Sequence, residues 1–270
     1  MDWHTHLQLG GTDLSVSRLG IASSYGVPKD AIERAFHEYG INYFYWGALR
    51  RRGMRDGIRS LIPQHREEIV IAVQSYDKTG LIMPWSVERA LKALKIERAD
   101  VLILGYYSKA PGKRTIDAAG KLVDRGLVRY LAVSGHNREL FGSLARGEVE
   151  IPIDVFMLRY NAAHRGAEQD IFPFLHPDRQ FGITVFTATR WGHLLSKRRM
   201  PRGVQPPSAS ECYRFVLSNP HVHLCVMGPS SMTQFEQGVA ALKEGPLSDD
   251  EIDRIRRIGD HVHDQGKLFF

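Results

Sequence analysis

Cysteine is nearly absent: Cys212 and Cys225 are the only two among 270 residues. Two thiols make neither a disulfide framework nor a paired metal motif, and such scarcity suits a reducing compartment. Long apolar runs are missing as well. Stretches such as Ile69-Val70-Ile71-Ala72-Val73 fall far short of the roughly 20 residues of a membrane span. The opening Met1-Asp2-Trp3-His4 carries neither the basic nor the apolar region of a secretory signal. These absences lead to the expectation of a cytoplasmic protein that makes no membrane contact. A large charge excess is also lacking, since 36 basic and 30 acidic residues leave +6. The basic clusters, Arg50-Arg51-Arg52 and Lys197-Arg198-Arg199 among them, are scattered and lack the aromatic context of a nucleic-acid stripe. No nucleic-acid partner is expected, while a phosphate-bearing small ligand stays compatible. At 43% apolar and 24% charged, the composition excludes disorder, collagen and coiled coil. A chain of this length buries a full core without staples.

What is present is alternation. Short β-branched runs at 18–22, 43–46, 69–74, 101–104, 128–134, 153–159, 183–187 and 224–227 read as strands. Between and after them, helical periodicity marks 31–39, 54–62, 87–94, 114–125, 138–146, 167–175, 208–218, 232–242 and 249–263. Strands alternating with helices predict parallel βαβ units, and eight of them close most naturally into a (β/α)8 TIM barrel. A doubly wound sheet is the alternative, and it usually carries a G-x-G-x-x-G turn after its first strand. Here that turn reads Ser23-Ser24-Tyr25-Gly26-Val27-Pro28. Leu7–Val16 reads as an N-terminal β-hairpin around Gly10-Gly11, placed to plug the bottom of the barrel. The last two helices are additions at the C-terminus. No linker divides the chain, so residues 1–270 are expected to form a single domain.

In order along the chain, several segments resemble the aldo-keto reductases. They are Leu9-Gly10-Gly11-Thr12-Asp13-Leu14, Gly40-Ile41-Asn42-Tyr43-Phe44, Ser86–Leu94 with Asp100–Leu104, Gly126–Ser134, Arg159-Tyr160-Asn161 and Met227-Gly228-Pro229-Ser230-Ser231. The resemblance implies this barrel and a hydride transfer between a nicotinamide cofactor, NADP or NAD, and a small carbonyl or alcohol. It also implies a catalytic Asp, Tyr, Lys and His at strand ends. At those four positions stand Tyr45, Arg50, Gln74 and Gly105. A phenol with an ordinary pKa near 10 needs a cation beside it to work at neutral pH, so the family's proton relay cannot run in its usual form. Tyr45 is the expected substitute donor, with Arg159 or Arg190 supplying positive field and His136 a further acid–base group.

By the same resemblance, Ser134 and Asn161 would hold the nicotinamide amide and Phe186 would stack on the ring. Gly228 would let backbone approach phosphate. Ser231 and Gln234, as an S-x-x-Q capping box, would open a helix whose N-terminus suits phosphate, with Ser230 beside them. Ser230 stands where the family often has a basic residue, Gln237-Gly238 where it often has Glu-Asn, and Met157 at the usual Gln. Lys197, Arg198 and Arg199 could supply the missing phosphate charge. The aromatic rim suggests a planar or apolar small-molecule substrate.

Two further readings stand beside the oxidoreductase. A barrel that kept the scaffold and lost the redox step would bind or regulate, or would run a lyase or isomerase reaction. Asp2-Trp3-His4-Thr5-His6 has the D-x-H-x-H spacing of a metal-dependent hydrolase, with both imidazoles on one face of a strand. That motif lies ahead of the hairpin and the final strand supplies no Asp, so no metal is expected.

Overall fold

The structure, a computed structural model, describes residues 2–47, 50–176 and 178–267. A two-stranded antiparallel hairpin, β1 (Leu7–Gln8) and β2 (Ser15–Val16), precedes eight parallel strands. These are β3 (Leu19–Ala22), β4 (Tyr43–Trp46), β5 (Val70–Ser75), β6 (Ala99–Leu104), β7 (Val128–Gly135), β8 (Val155–Arg159), β9 (Gly182–Phe186) and β10 (Leu224–Met227). They close in sequence order, β10 pairing with both β9 and β3. The (β/α)8 barrel expected from the alternation is therefore present, with each predicted strand in place.

The helices are α1 (Lys29–Tyr39), α2 (Arg52–His65), α3 (Met83–Leu94), α4 (Lys113–Asp124), α5 (Arg138–Arg146), α6 (Ala167–Asp170), α7 (Ala209–Leu217), α8 (Met232–Glu244) and α9 (Asp249–Lys267). One predicted helix breaks. The 167–175 segment is a four-residue α6 followed by a 3-10 turn, Phe172–Phe174. Pro173 has no N–H to donate and its ring crowds the preceding turn, so the helical period there does not become one helix.

Strand alternation sorts the side chains into two layers. Tyr43, Tyr45, Ala72, Ile103, Ala132, Met157, Phe186 and Val226 fill the barrel interior. Their outward neighbours, including Phe44, Ile71, Leu102 and Phe156, pack under the helices. The hairpin closes the N-terminal end: Leu9, Leu14 and Val16 join the interior layer. Its turn is longer than the Gly-Gly pair alone, running from Leu9 to Leu14, where the Leu9 amide donates to the Leu14 carbonyl over 2.9 Å. Gly10 has φ +59°, and a Cβ there would sit 2.2 Å from the Gly182 nitrogen. Both the left-handed backbone and the close approach to β9 require glycine.

Candidate active site

The C-terminal strand ends form the mouth. Ala22, Tyr45, Tyr76, Tyr106, Met157, Phe186 and Trp191 line a cleft of about 470 Å³. It runs past the loop after β9 to Gly228, Ser230, Gln234 and Gln237 at the start of α8. A ligand site of this kind is concave, largely apolar and fitted with a few polar groups. Its far end is a helix N-terminus. Ser231 is the N-cap of α8 and its Oγ accepts from the Gln234 amide at 3.3 Å. The Gln234 side chain reaches back one residue further than a standard capping box, accepting from the Ser230 N–H and hydroxyl, each at 2.9 Å. The next amides, of Met232 and Thr233, have no partner within the helix.

At the near end, three of the four positions of the family's catalytic set, 45, 74 and 105, form a different object, while Arg50 packs by Gly26. Tyr45 is almost fully buried, and its hydroxyl donates to Gln74 Oε1. Gln74 Nε2 donates to Ser134 Oγ at 3.2 Å, which also accepts from the Tyr106 amide at 3.2 Å and donates to the Leu104 carbonyl. The run from phenol to backbone carbonyl passes through a neutral amide and contains no group that titrates near neutrality. Burial, with Tyr76 and Tyr106 close by, pushes the Tyr45 phenol well above its ordinary range. At the position of the family's His, a Cβ on Gly105 would stand 2.5 Å from Gln74 Nε2 and 2.8 Å from the Tyr76 ring. The volume an imidazole would need is occupied.

Ser134 and Asn161 are buried, and their polar atoms are bonded within the chain. Asn161 Nδ2 donates to the Thr187 carbonyl at 2.9 Å, and its Oδ1 accepts from the Ala163 amide at 3.0 Å and from His164 Nδ1 at 3.3 Å. Those bonds hold the loop after β9, where Thr187, Arg190 and Trp191 all take positive φ, at +62°, +51° and +53°. Non-glycine residues in that region store strain and need surroundings that impose it. Arg190 contributes by donating to the Val262 carbonyl of α9, so its guanidinium is turned into the fold. The loop presents Trp191 to the cleft.

Phe186 lies on the cleft wall, with the His136 ring edge-on at 5.3 Å. His136 also stacks with Trp191 at 6.2 Å and lies 5.6 Å from Tyr106. Burial, then Arg159, hold the His136 imidazole below its usual value. Arg159 follows Val155 and Met157 on the interior face of β8, in register with Phe186. Gly228 carries the Tyr25 ring against its α-carbon; a Cβ there would meet that ring at 2.6 Å. Lys197–Arg199 form a 3-10 turn that stands outside the cleft lining, so the proposed source of phosphate charge is set apart from the cleft.

The sequence reading missed Tyr25, Thr187 and Tyr213 as cleft residues and His164, which lines a neighbouring hollow. They come from four different loops and helices, and no spacing links them. The metal motif sits at the opposite end: His6 Nε2 bonds the Gly40 carbonyl at 2.7 Å, and the Asp2 carboxylate accepts from the His4 amide and the Thr5 hydroxyl. That placement removes the hydrolase reading from the C-terminal face where barrel chemistry sits.

Comparison with known proteins agrees with this architecture. An aldo-keto reductase of Bacillus halodurans superposes in both its holo and apo forms with TM-score 0.75 at 21% identity. The holo form pairs 94% of this chain with 96% of its own. L-galactose dehydrogenase of Arabidopsis thaliana is 23% identical over 87% of each chain. The model of the Aldo/keto reductase family matches residues 29–211. The chain belongs to the aldo/keto reductase family.

Proposed function

We propose that the protein is an NAD(P)(H)-linked oxidoreductase acting on a small carbonyl or alcohol, with a proton donor other than the family's own. The observation that carries this reading is the continuous cleft from the aromatic mouth to the start of α8, on a chain of this family. A relative whose name is that of a sugar dehydrogenase supports it.

The residues present fit a dinucleotide at both ends of the cleft. Phe186 offers a ring face at the mouth. The first amides of α8, those of Met232 and Thr233, offer hydrogen bonds where a helix N-terminus favours anions, with Ser230 and Gln234 bonded to each other beside them. Bound there, a nicotinamide would supply or accept hydride. Ser134 and Asn161, bonded inwardly, shape the mouth rather than presenting free polar atoms. Tyr45, kept neutral by burial, is a hydrogen-bond donor and not a base. Exchanging its bond to Gln74 for one to an oxygen that gains negative charge would serve carbonyl reduction. Arg159 adds positive field, and His136, neutral at pH 7, can exchange a proton by either nitrogen.

The packed Tyr45–Gln74–Ser134 chain and the closed Gly105 position favour one other reading: a barrel of this family that binds its ligand without redox turnover. Titration with NADPH and with NADH, followed by quenching of Trp191 and by nicotinamide fluorescence, tests the proposal. Saturable micromolar binding is expected. No binding of either nucleotide at millimolar concentration would remove the oxidoreductase reading.

A further inference from the structure

Across most of the surface, arginine is matched by carboxylate. Arg129 meets Asp13, Arg165 meets Asp260, Arg256 meets Glu168 and Arg138 meets Asp170. Arg159 is different. It is half-buried and falls by strand alternation on the interior face of β8, two residues beyond Met157 and in register with Phe186, both of which line the cleft. Among the described residues it forms no ion pair, and the charges that act on it most are Arg138 and Arg190, the first paired with Asp170 and the second bonded to the Val262 carbonyl. His136 and His164 complete the cluster, both within reach of its charge.

Ring contacts of His136 tie the cluster to the main cleft. Tyr106, Phe186 and Trp191, whose rings line the main cleft, are those His136 or its neighbours touch. Arg138 and His164 line a second hollow of about 330 Å³ with His263 and with Glu168 and Asp260, whose carboxylates are paired with Arg256 and Arg165. The His263 ring meets His164 edge-on at 5.4 Å, and its buried Nδ1 has no partner. An unpaired guanidinium taken part-way out of water loses hydration with nothing in return. Further cations beside it raise that cost. An anion seated among them adds an attraction to each cation that offsets these costs, and a carboxylate or phosphate matches the guanidinium fork with two parallel bonds.

We propose that Arg159, flanked by His136 and His164, binds the carboxylate or phosphate group of the small molecule that enters the barrel mouth. The inference rests on the oxidoreductase reading only in calling that molecule the substrate. It makes the substrate an anionic carbonyl compound, not a purely apolar one. Arg159 then anchors the charged end while the aromatic rim encloses the remainder.

The test uses the purified full chain in phosphate-free buffer without nucleotide. Inorganic phosphate, pyruvate and, as the neutral counterpart, acetone are titrated by calorimetry and by thermal shift. Saturable binding of phosphate or pyruvate, with none of acetone, is expected. A preference for one anion identifies the phosphate or the carboxylate class. Arg159→Met weakens the bound anion by about ten- to a hundredfold, the worth of a charge-assisted contact. Arg159→Lys keeps part of the affinity, because it retains charge without the fork. Should Arg159→Met not fold, Arg159→Lys and His136→Gln carry the comparison, both weakening the anion. Absence of anion binding, or equal binding in folded Arg159→Met, overturns the proposal, the latter placing the anion elsewhere, as at Lys197–Arg199. No nicotinamide enters these measurements, so their failure and that of the nucleotide titration are distinguishable.

Discussion

At the scale of single residues, the site departs from its family through one substitution that locks the others. Gln74 bridges the Tyr45 hydroxyl and Ser134, and its amide fills the space beside Gly105. The replacements at 45, 74 and 105 are thus one packed unit, not three independent losses. The phenol inside that unit lines the mouth beside those of Tyr76 and Tyr106, and its worth as a donor can be measured. Tyr45→Phe is expected to lower the turnover of a carbonyl substrate by about 10²- to 10⁴-fold, the usual value of a positioned proton donor. Unchanged turnover would show that the proton comes from another group. The identity of Tyr45 was legible in the sequence, as was the absence of Lys and His. Its bond to Gln74 was not, because the two lie on adjacent strands, 29 positions apart.

At the scale of elements, the loop after β9 carries the strain of the site. Three non-glycine residues with positive φ each cost of order 1 kcal/mol, and Asn161 and Arg190 bind the loop to β8 and α9. Asn161, fully buried, is therefore a positioning residue for this loop. Asn161→Ala removes its bonds to Thr187 and Ala163 and strands buried polar atoms. The expected loss is about 1–3 kcal/mol of stability, measured by denaturant unfolding, together with altered Trp191 emission as the loop relaxes. A variant as stable as the parent, with the same emission spectrum, would show that the loop holds itself. Sequence alone located Asn161 at the end of its strand but paired it with a ligand. The carbonyl that claims its amide belongs to a loop 26 residues away, visible only once β8 and β9 lie side by side.

For the whole molecule, two histidines are folded in neutral form. His223 Nδ1 accepts the Ile183 amide at 3.1 Å, and burial, with Arg18 nearby, lowers its pKa to about 4. His164 falls to about 3 through burial and then Arg159 and Arg190. In the unfolded chain both titrate near the usual 6.5. Above that pH neither state takes up a proton, and stability is flat with respect to them. Below it the unfolded chain binds protons that the folded one refuses, so stability falls continuously toward pH 4 and then 3. The slope approaches at most about 1.4 kcal/mol per pH unit for each histidine. Urea unfolding at pH 7.5 and at pH 5 checks this: equal or higher stability at pH 5 would show that these imidazoles are not held neutral. An anion bound beside Arg159 would offset part of the loss at His164 by neutralising the cations that face it.

The sequence by itself determined the barrel, the hairpin plug and the positions of the strand ends. Strand and helix periods are local, and eight alternating units leave few ways to close a sheet. One helix was misread because Pro173 breaks a pattern that periodicity cannot see breaking. Only the tertiary structure decided which mouth residues are free to act. Side chains at strand ends come from segments tens of residues apart, and whether each meets a carbonyl, a ring or open cleft depends on barrel register. That register spends Ser134, Asn161 and Arg190 on the fold. It leaves Arg159 on the interior face of β8 with no ion pair among the described residues.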